Sequence, residues 1–268
     1  MRAFNLIVSI TFLLNISAAL AAETQAEPLL LPQAHAHNDY VHARPLLDAL
    51  DQGFCSVEAD IFLRDGKLLV AHESNHLAPE KTLQALYLDP LRERVQKNHG
   101  HVFPNGPEFT LLVDLKEDWR TIYPALHSVL TNYADILTTF QNNVKYTNAI
   151  LVIISGNRDL NMFAGESLRY AAFDGDLNDL GQNHPPTLVP WISINWKTQF
   201  SWNGRDAMPA TESLKLQTLV TQAHAEHFRL RFWGAPDNLT AWKTLSAASV
   251  DLINTDDLAG VQNFFRAK

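Results

Sequence analysis

The chain has 268 residues, of which 46% are hydrophobic, so it can bury one large core or two small ones. Its formal net charge of −8 argues against nucleic acid or an anionic membrane surface as the main partner. The single cysteine, Cys55, excludes an internal disulfide and lies in an apolar run typical of a buried thiol. Because no repeat, low-complexity run or linker is present, we predict one domain. We also expect the protein to be a monomer.

The first 22 residues have the pattern of a signal peptide. Arg2 supplies a positive charge, residues 6–14 an apolar stretch, and Ala19-Leu20-Ala21 the small-residue cleavage pattern. The stretch is too short and too polar for a stable membrane span. Residues 23–30 then form a mature tail, and 31–268 the folded domain. A signal peptide together with one free thiol favours a bacterial protein that is either periplasmic or secreted.

The first predicted strand, residues 29–37, ends in the sequence HAHNDY. His35 and His37 are two residues apart and therefore share a face of the strand. His37 lies nearer the carboxyl end of the strand, while His35 lies one layer deeper. Either histidine can serve a site there, and for His35 a hydrogen-bonded role in the core is the alternative to contact with a substrate.

The second predicted strand, residues 54–62, places Glu58 and Asp60 on one face of an apolar run. Two like charges held that close need a cation, a shared proton or open solvent. A hard metal ion satisfies both carboxylates at once. The alternative is a surface hairpin whose carboxylates are solvated.

Asp65-Gly66 predicts a hairpin after this strand, with a return arm from Lys67 to Ala71. A three-residue loop with Gly66 at positive φ places His72 opposite Glu58 and on the same face. A two-residue loop turns His72 to the other face. We expect the three-residue loop, because only that register places His72 on the same face as Glu58 and so forms a site.

Further along the chain, apolar strands alternate with helical stretches. The strands are predicted at residues 109–116, 149–155, 169–173, 189–196, 227–233 and 250–254, and the main helices at 82–95, 122–140, 212–225 and 240–247. With the first two, this makes eight strands. The pattern predicts an α/β fold, a single (β/α)8 TIM barrel with a β-hairpin excursion after strand 2. Polar residues cluster at the carboxyl ends of the strands, where such barrels hold their active sites.

This layout resembles the phosphodiesterase superfamily of glycerophosphodiester phosphodiesterases, phosphatidylinositol-specific phospholipases C and sphingomyelinases D. Their shared pattern is a His ending the first strand, E-x-D on the second, a His shortly after it, and a carboxylate-x-Lys on a later strand. Here the pattern is matched by His37, Glu58-Ala59-Asp60, His72 and Asp114-Leu115-Lys116. The chain is most similar to a subgroup that carries HNDY, SVEADI and LLVAH.

The resemblance implies a metal-dependent phosphoric diester hydrolase acting on a glycerophosphodiester or a phospholipid head group. It implies one Mg²⁺ or Ca²⁺ held by Glu58, Asp60 and Asp114, an acid–base pair of His37 and His72, and substrate contacts from Lys116, His35, Asn38 and Trp233. Asn38 stands where glycerophosphodiesterases usually have Arg, so contacts near the phosphate differ. For Trp233, packing in the barrel core is the alternative.

Two other functions are compatible with parts of the pattern. A metal-dependent amidohydrolase also begins with H-x-H on its first barrel strand, and Asp256 could supply its last ligand. That class needs histidines on the middle strands, and the predicted strands at 149–155, 169–173 and 189–196 contain none. The third possibility is a barrel that binds a phospho-ligand without turnover. We interpret Asp256 itself as the cap of a final helix.

Overall fold

A computed structural model describes residues 28–268. The predicted signal peptide, and all but the last three residues of the predicted tail, lie outside the described residues. The strands, in chain order, are β1 (Ala34–Ala36), β2 (Ser56–Arg64), β3 (Lys67–Val70), β4 (Phe109–Leu115), β5 (Thr139–Gln141), β6 (Val144–Tyr146), β7 (Ile150–Gly156), β8 (Leu168–Arg169), β9 (Ala172–Gly175), β10 (Trp191–Asn195), β11 (Arg229–Trp233) and β12 (Ile253–Thr255).

Eight of these strands form a parallel barrel. Their order around the sheet is β11-β10-β9-β7-β4-β2-β1-β12, and β3 pairs antiparallel with β2 outside this path. A parallel bridge between Arg231 and Leu252 joins the two ends of the sheet. The predicted (β/α)8 barrel with its hairpin excursion is therefore confirmed.

The inner surface of the barrel changes from apolar to polar toward its carboxyl end. Leu112, Ile153 and Trp191 belong to one small buried apolar cluster inside the sheet. Two residues beyond Leu112 on the same face of β4 stands Asp114, because side chains of a strand alternate between faces. The apolar cluster thus forms a floor, and the polar strand ends stand above it.

Helices cover the outside of the barrel. The α-helices are α1 (Leu47–Asp51), α2 (Asp89–Lys97), α3 (Trp119–Thr131), α4 (Trp196–Gln199), α5 (Ala210–Ala225), α6 (Leu239–Ala247) and α7 (Leu258–Arg266). One-turn helices lie at Asp39–Val41, Ser74–His76, Leu160–Phe163 and Leu177–Asp179, and a π-helical turn at Gln84–Leu88. Between residues 28 and 268 no helix has the length and apolar character needed to cross a membrane.

Two predicted elements between β4 and β9 are wrong in extent. The helix predicted over 122–140 ends at Thr131, and Phe140 lies in β5 of a small antiparallel sheet with order β6-β5-β8. The strand predicted at 169–173 enters the barrel only at Ala172, since Arg169 pairs with Phe140 in that small sheet. The Arg169 guanidinium stacks on the Phe140 ring at 4.6 Å, a long-range contact that local periodicity does not reveal.

The predicted three-residue hairpin loop is also wrong. Arg64 pairs with Lys67, which leaves a two-residue loop of Asp65 and Gly66, with φ values of 50° and 75°. The positive φ at Gly66 agrees with the prediction. Two successive positive φ values match the twist of the flanking strands, which explains why Asp-Gly closes the tighter turn. His72 still reaches the site, because it lies beyond the last hydrogen bond between the two arms, from Ala71 N to Asp60 O, and the ladder no longer fixes the direction of its side chain.

Candidate active site

A cavity of about 620 Å³ opens at the carboxyl ends of the barrel strands. Seven of the predicted site residues line it: His37, Asn38, Glu58, His72, Asp114, Lys116 and Trp233. Asp60 is fully buried and contacts Lys116 and His72 at the edge of this cavity. Trp233 is 42% exposed, so it lies at the rim rather than in the barrel core.

Three carboxylates meet on one side of the cavity. Glu58, Asp60 and Asp114 each offer an oxygen, and these atoms lie within 4.8 Å of one another. The arrangement follows from the sheet, since β2 and β4 are adjacent parallel strands whose register places Asp60 beside Asp114. Glu58 precedes Asp60 by two residues on the same face. The group can hold a metal ion.

The cluster carries more negative charge than its protein partners neutralise. Lys116 Nζ lies 2.7 Å from Asp60 Oδ2 and 3.1 Å from Asp114 Oδ1, so one ammonium faces two carboxylates. Burial and the charges of Glu58 and Asp114 raise the pKa of Asp60 to about 6, and burial also raises the pKa of Asp114. Asp60 Oδ1 is buried without a hydrogen-bond partner. An unpartnered oxygen beside two other carboxylates suits a hard divalent cation.

Glu58 is held differently from the two aspartates. Burial alone would raise its pKa, but the hydrogen bond to His35 and the charge of Arg231 keep the pKa well below its usual range. Glu58 Oε2 lies 3.3 Å from His35 Nε2 and 3.1 Å from Arg231. Glu58 is therefore ionised, and the positive charge of Arg231 supports it from the barrel interior.

His35 is fully buried below the cavity and is not among the residues that line it. Its Nδ1 lies 2.7 Å from Ser56 Oγ, and its ring packs edge-on against Trp191 with 5.8 Å between centroids. Burial and Arg231 lower its pKa to about 4, so the ring is neutral near pH 7. This position matches the alternative of a hydrogen-bonded core histidine.

His37 lines the cavity and is supported by Asp256, a residue whose role the sequence interpretation missed. His37 Nδ1 lies 2.9 Å from Asp256 Oδ1. Burial would lower the pKa of His37, but the hydrogen bond to Asp256 and the charge of Glu58 outweigh it and raise the pKa. The final helix is capped by Asp257, whose carboxylate accepts from Gly260 N, and not by Asp256 as predicted. Its place at the end of the last strand was the signal that could have identified Asp256.

His72 is supported by a second missed residue, Tyr40. The Tyr40 hydroxyl lies 3.0 Å from His72 Nδ1 and 2.6 Å from Asp60 Oδ2. It also lies 2.6 Å from Oδ1 of Asn38, whose amide nitrogen is 2.9 Å from His37 Nδ1. Within the HNDY segment, Asn38 therefore contacts His37 and Tyr40 contacts His72, although only His37 and Asn38 were predicted to take part.

The opposite wall of the cavity is polar and was also missed. Asp174 of β9 is buried and accepts a hydrogen bond from Ser155 Oγ at 2.7 Å, while its Oδ1 has no partner. Arg231 of β11 donates to Ser193 Oγ at 2.9 Å. Asp174 lies one residue beyond the strand predicted at 169–173, and Arg231 lies in the strand predicted at 227–233, where it was given no role.

A family model described as "AIM6-like phosphodiesterase domain" matches residues 27–174, more than half of the chain. The chain belongs to this family. A second model, the glycerophosphoryl diester phosphodiesterase family, matches residues 229–259. The first match covers both candidate histidines and all three carboxylates, and the second covers Asp256. Family membership favours the phosphodiesterase interpretation over the amidohydrolase alternative.

The chain is similar to several fungal proteins. The chain is 27% identical over 261 residues to "Altered inheritance of mitochondria protein 6 homolog" of Arthroderma benhamiae, covering 86% of this chain and 83% of the relative. It is 29% identical over 283 residues to "Altered inheritance of mitochondria protein 6" of Eremothecium gossypii, covering 92% and 72%. The Saccharomyces cerevisiae protein of that name is 27% identical over 273 residues, covering 84% and 68%.

Among solved structures, the chain is similar to glycerophosphodiester phosphodiesterase from Agrobacterium tumefaciens. The TM-score is 0.51 at 14% sequence identity, covering 87% of this chain and 99% of that chain. At this identity the likeness shows the fold alone. It agrees with the TIM barrel predicted from the strand pattern.

The expected localisation, a bacterial periplasmic or secreted protein, is wrong. The relatives are fungal proteins whose names refer to the inheritance of mitochondria. A short apolar stretch after one positive charge, together with a single free thiol, does not specify a compartment. The barrel and its polar residues carry no such information either.

Proposed function

We propose that this chain is a metal-dependent phosphodiesterase that cleaves a phosphodiester by acid–base catalysis with His37 and His72. The observation that supports this most is the cluster of Glu58, Asp60 and Asp114 beside two cavity-lining histidines. Such a site combines oxygen ligands for a hard cation with two groups that exchange protons near neutral pH. The cavity volume suits a small phosphodiester or a lipid head group rather than a polymer.

The three carboxylates would hold one Mg²⁺ or Ca²⁺, with the unpartnered Oδ1 of Asp60 as one of its ligands. When bound, such an ion supplies positive charge that stabilises the phosphoryl oxygens as the bond breaks. Lys116 contributes a second positive charge from the same edge of the cavity and contacts the phosphate in this proposal. Arg231 supports Glu58 from below.

The two histidines divide the proton transfers. The Nδ1 atom of each ring is occupied, in His37 by Asp256 and in His72 by Tyr40, so each ring keeps Nε2 for the substrate. One imidazole takes the proton of the attacking hydroxyl, and the other gives a proton to the leaving oxygen. The mechanism requires no group from a second chain, and we propose that the protein acts as a monomer.

The test is turnover on a panel of phosphodiesters, from glycerophosphocholine to lysophospholipids and sphingomyelin, with Mg²⁺ or Ca²⁺ present. We expect turnover of at least one class, and a loss of at least about 10²-fold in His37→Asn. The matched control is His127→Asn, because His127 also pairs with a carboxylate, Glu166, but does not line the cavity.

Phospho-ligand binding without turnover by the wild-type protein would replace this proposal with a binding function. A loss of turnover in His37→Asn that is matched by His127→Asn would remove the role given to His37. Metal binding in both variants, measured by calorimetry, should stay near the wild-type value. That measurement separates a catalytic defect from a collapsed site.

A further inference from the structure

The Tyr40 hydroxyl stands between a candidate metal ligand and a candidate catalytic histidine. It lies 2.6 Å from Asp60 Oδ2 and 3.0 Å from His72 Nδ1. Tyr40 itself is buried, whereas the His72 side chain is 56% exposed to the cavity. A fixed buried group therefore contacts a ring that would otherwise be free to turn.

The acceptor of the hydrogen bond from His72 Nδ1 follows from the number of lone pairs available on Asp60 Oδ2. A carboxylate oxygen has two lone pairs, and those of Asp60 Oδ2 are taken by Lys116 Nζ at 2.7 Å and by the Tyr40 hydroxyl. Asp60 Oδ2 is also 3.2 Å from His72 Nδ1, but no lone pair remains for it. The phenol oxygen, at the shorter distance of 3.0 Å, is the remaining acceptor.

The direction of the Tyr40 hydrogen follows from charge. The hydroxyl has one proton and three possible acceptors, Asp60 Oδ2 and Asn38 Oδ1 at 2.6 Å and His72 Nδ1 at 3.0 Å. The ionised carboxylate forms the strongest, charge-assisted bond, so the Tyr40 hydroxyl donates to Asp60 Oδ2. The phenol oxygen then accepts from His72 Nδ1–H, which fixes the proton on Nδ1 and leaves Nε2 unprotonated in the neutral ring.

We propose that Tyr40 is a positioning residue that fixes the tautomer and orientation of His72. Its part in turnover rests on the proposed function, while its effect on the ring does not. By linking His72 to Asp60, the phenol also keeps the imidazole at a constant position relative to the carboxylate cluster. An imidazole so oriented loses no rotational freedom when the phosphodiester arrives.

The direct test is the ¹⁵N spectrum of the histidine rings, recorded at about pH 9, where it reports the tautomers of neutral imidazoles. His72→Asn identifies the signal of His72. We expect the Nδ1–H tautomer in the wild-type protein and a mixture with Nε2–H in Tyr40→Phe. A dominant Nε2–H tautomer in the wild-type protein would overturn the proposal, even if the variant failed to fold.

The matched control is Tyr123→Phe, which removes a tyrosine hydroxyl that donates to Glu166 at 2.8 Å beside His127. It should leave the His72 signal unchanged. If Tyr40→Phe folds and keeps the pure Nδ1–H tautomer, Asp60 rather than Tyr40 orients the ring, and the proposal fails.

Kinetics give the second measurement. We expect Tyr40→Phe to lower kcat by about 10-fold or more and to change KM by less than about 3-fold, because positioning acts on the chemical step. In a His72→Asn background the same substitution should have little further effect. Full additivity of the two substitutions would show that Tyr40 does not act through His72.

The two proposals fail in different ways. Absence of turnover in the wild-type protein, with the Nδ1–H tautomer and its loss in Tyr40→Phe intact, would remove the phosphodiesterase function alone. Normal turnover with an unaltered His72 signal in Tyr40→Phe would remove the role of Tyr40 alone.

Discussion

The described residues include two sets of tyrosine, carboxylate and histidine in which the tyrosine hydroxyl and the histidine ring contact the same carboxylate. At the barrel mouth His72 Nδ1 lies 3.2 Å from Asp60, and on α3 His127 Nδ1 lies 3.2 Å from Glu166. The tyrosine hydroxyls lie 2.6 Å and 2.8 Å from these carboxylates. Residue types and distances alone therefore do not distinguish a candidate active site from a structural contact.

The surroundings of the carboxylate make the difference. Asp60 is fully buried beside Glu58 and Asp114, whereas the Glu166 side chain is 21% exposed and lies outside the cavity. Burying several like charges is costly unless a cation compensates them. A partly exposed pair such as His127 with Glu166 contributes at most about 1 kcal/mol and requires no further partner. Excess buried charge in a cavity is thus the feature that points to function.

The largest expected effect comes from neutralising one carboxylate in each set. Asp60→Asn should weaken divalent metal binding and lower turnover by about 10³-fold, since the ion contributes several kcal/mol to the transition state. Glu166→Gln should change neither quantity by more than about 2-fold. Calorimetric metal titration and steady-state kinetics on both variants check this. Equal effects of the two substitutions would break the comparison.

Replacing the histidines should give the next largest effect. His72→Asn should lower turnover by at least about 10²-fold with metal binding largely intact. His35→Asn should act mainly on stability, because His35 is buried beneath the cavity and bonds Ser56 and Glu58. If His35→Asn abolished turnover in a well-folded protein while His37→Asn spared it, the choice between these two histidines would be reversed.

Asp256 allows the role of His37 to be tested by pH. The hydrogen bond and charge of Asp256 raise the pKa of His37, so Asp256→Asn should move the limb of the pH–rate profile that reports His37 to lower pH. The direction is the same whether the ring acts as base or acid. We expect a loss of about 10-fold at the optimum. A limb that stays in place, or moves to higher pH, would contradict the assignment.

Asp39 provides a carboxylate that is buried like Asp60 but belongs to no acidic cluster. Burial raises its pKa to about 6, although Leu46 N and the Tyr87 hydroxyl donate to it. The folded state therefore favours the protonated form, and this stabilisation is present below about pH 4 and is lost as the pH rises to 6. Relative to Asp39→Asn, the free energy of unfolding of the wild-type protein should fall by at most about 3 kcal/mol across that range.

Chemical denaturation of both proteins at pH 4 and pH 7 measures this difference, and the groups common to both cancel. A wild-type protein that gained stability relative to Asp39→Asn as the pH rose would contradict the expected sign. The effect concerns folding only, because Asp39 does not line the cavity.

Much of this architecture could be predicted from the sequence because it depends on local patterns. Eight apolar strands alternating with helices predict the barrel, and the i, i+2 spacing of Glu58 and Asp60 predicts their common face. The residues that support the site from distant parts of the chain were missed, because no local pattern marks them. Asp256 and Tyr40 contact the histidines from loops at strand ends, and Asp174 lies one residue beyond the strand predicted at 169–173.

The hairpin error has a different cause. The prediction assumed that only strand parity could direct His72 toward Glu58, so it required a three-residue loop. The structure keeps the shorter turn at Asp65 and Gly66, and the last hydrogen bond between the two arms runs from Ala71 N to Asp60 O, so His72 is the first residue beyond the strand alternation. The side-chain direction of a residue just beyond a strand end is set by its own backbone angles and not by the alternation of the strand.

The most direct test of the central claim, a divalent cation at Glu58, Asp60 and Asp114 that supports phosphodiester cleavage, is turnover across mild chelation. The protein is assayed as prepared, after removal of divalent ions, and after addition of Mg²⁺ or Ca²⁺, with folding followed by circular dichroism. We predict that chelation abolishes turnover without unfolding the barrel and that one of the two ions restores it. Full turnover by a protein shown to be free of metal would contradict the account.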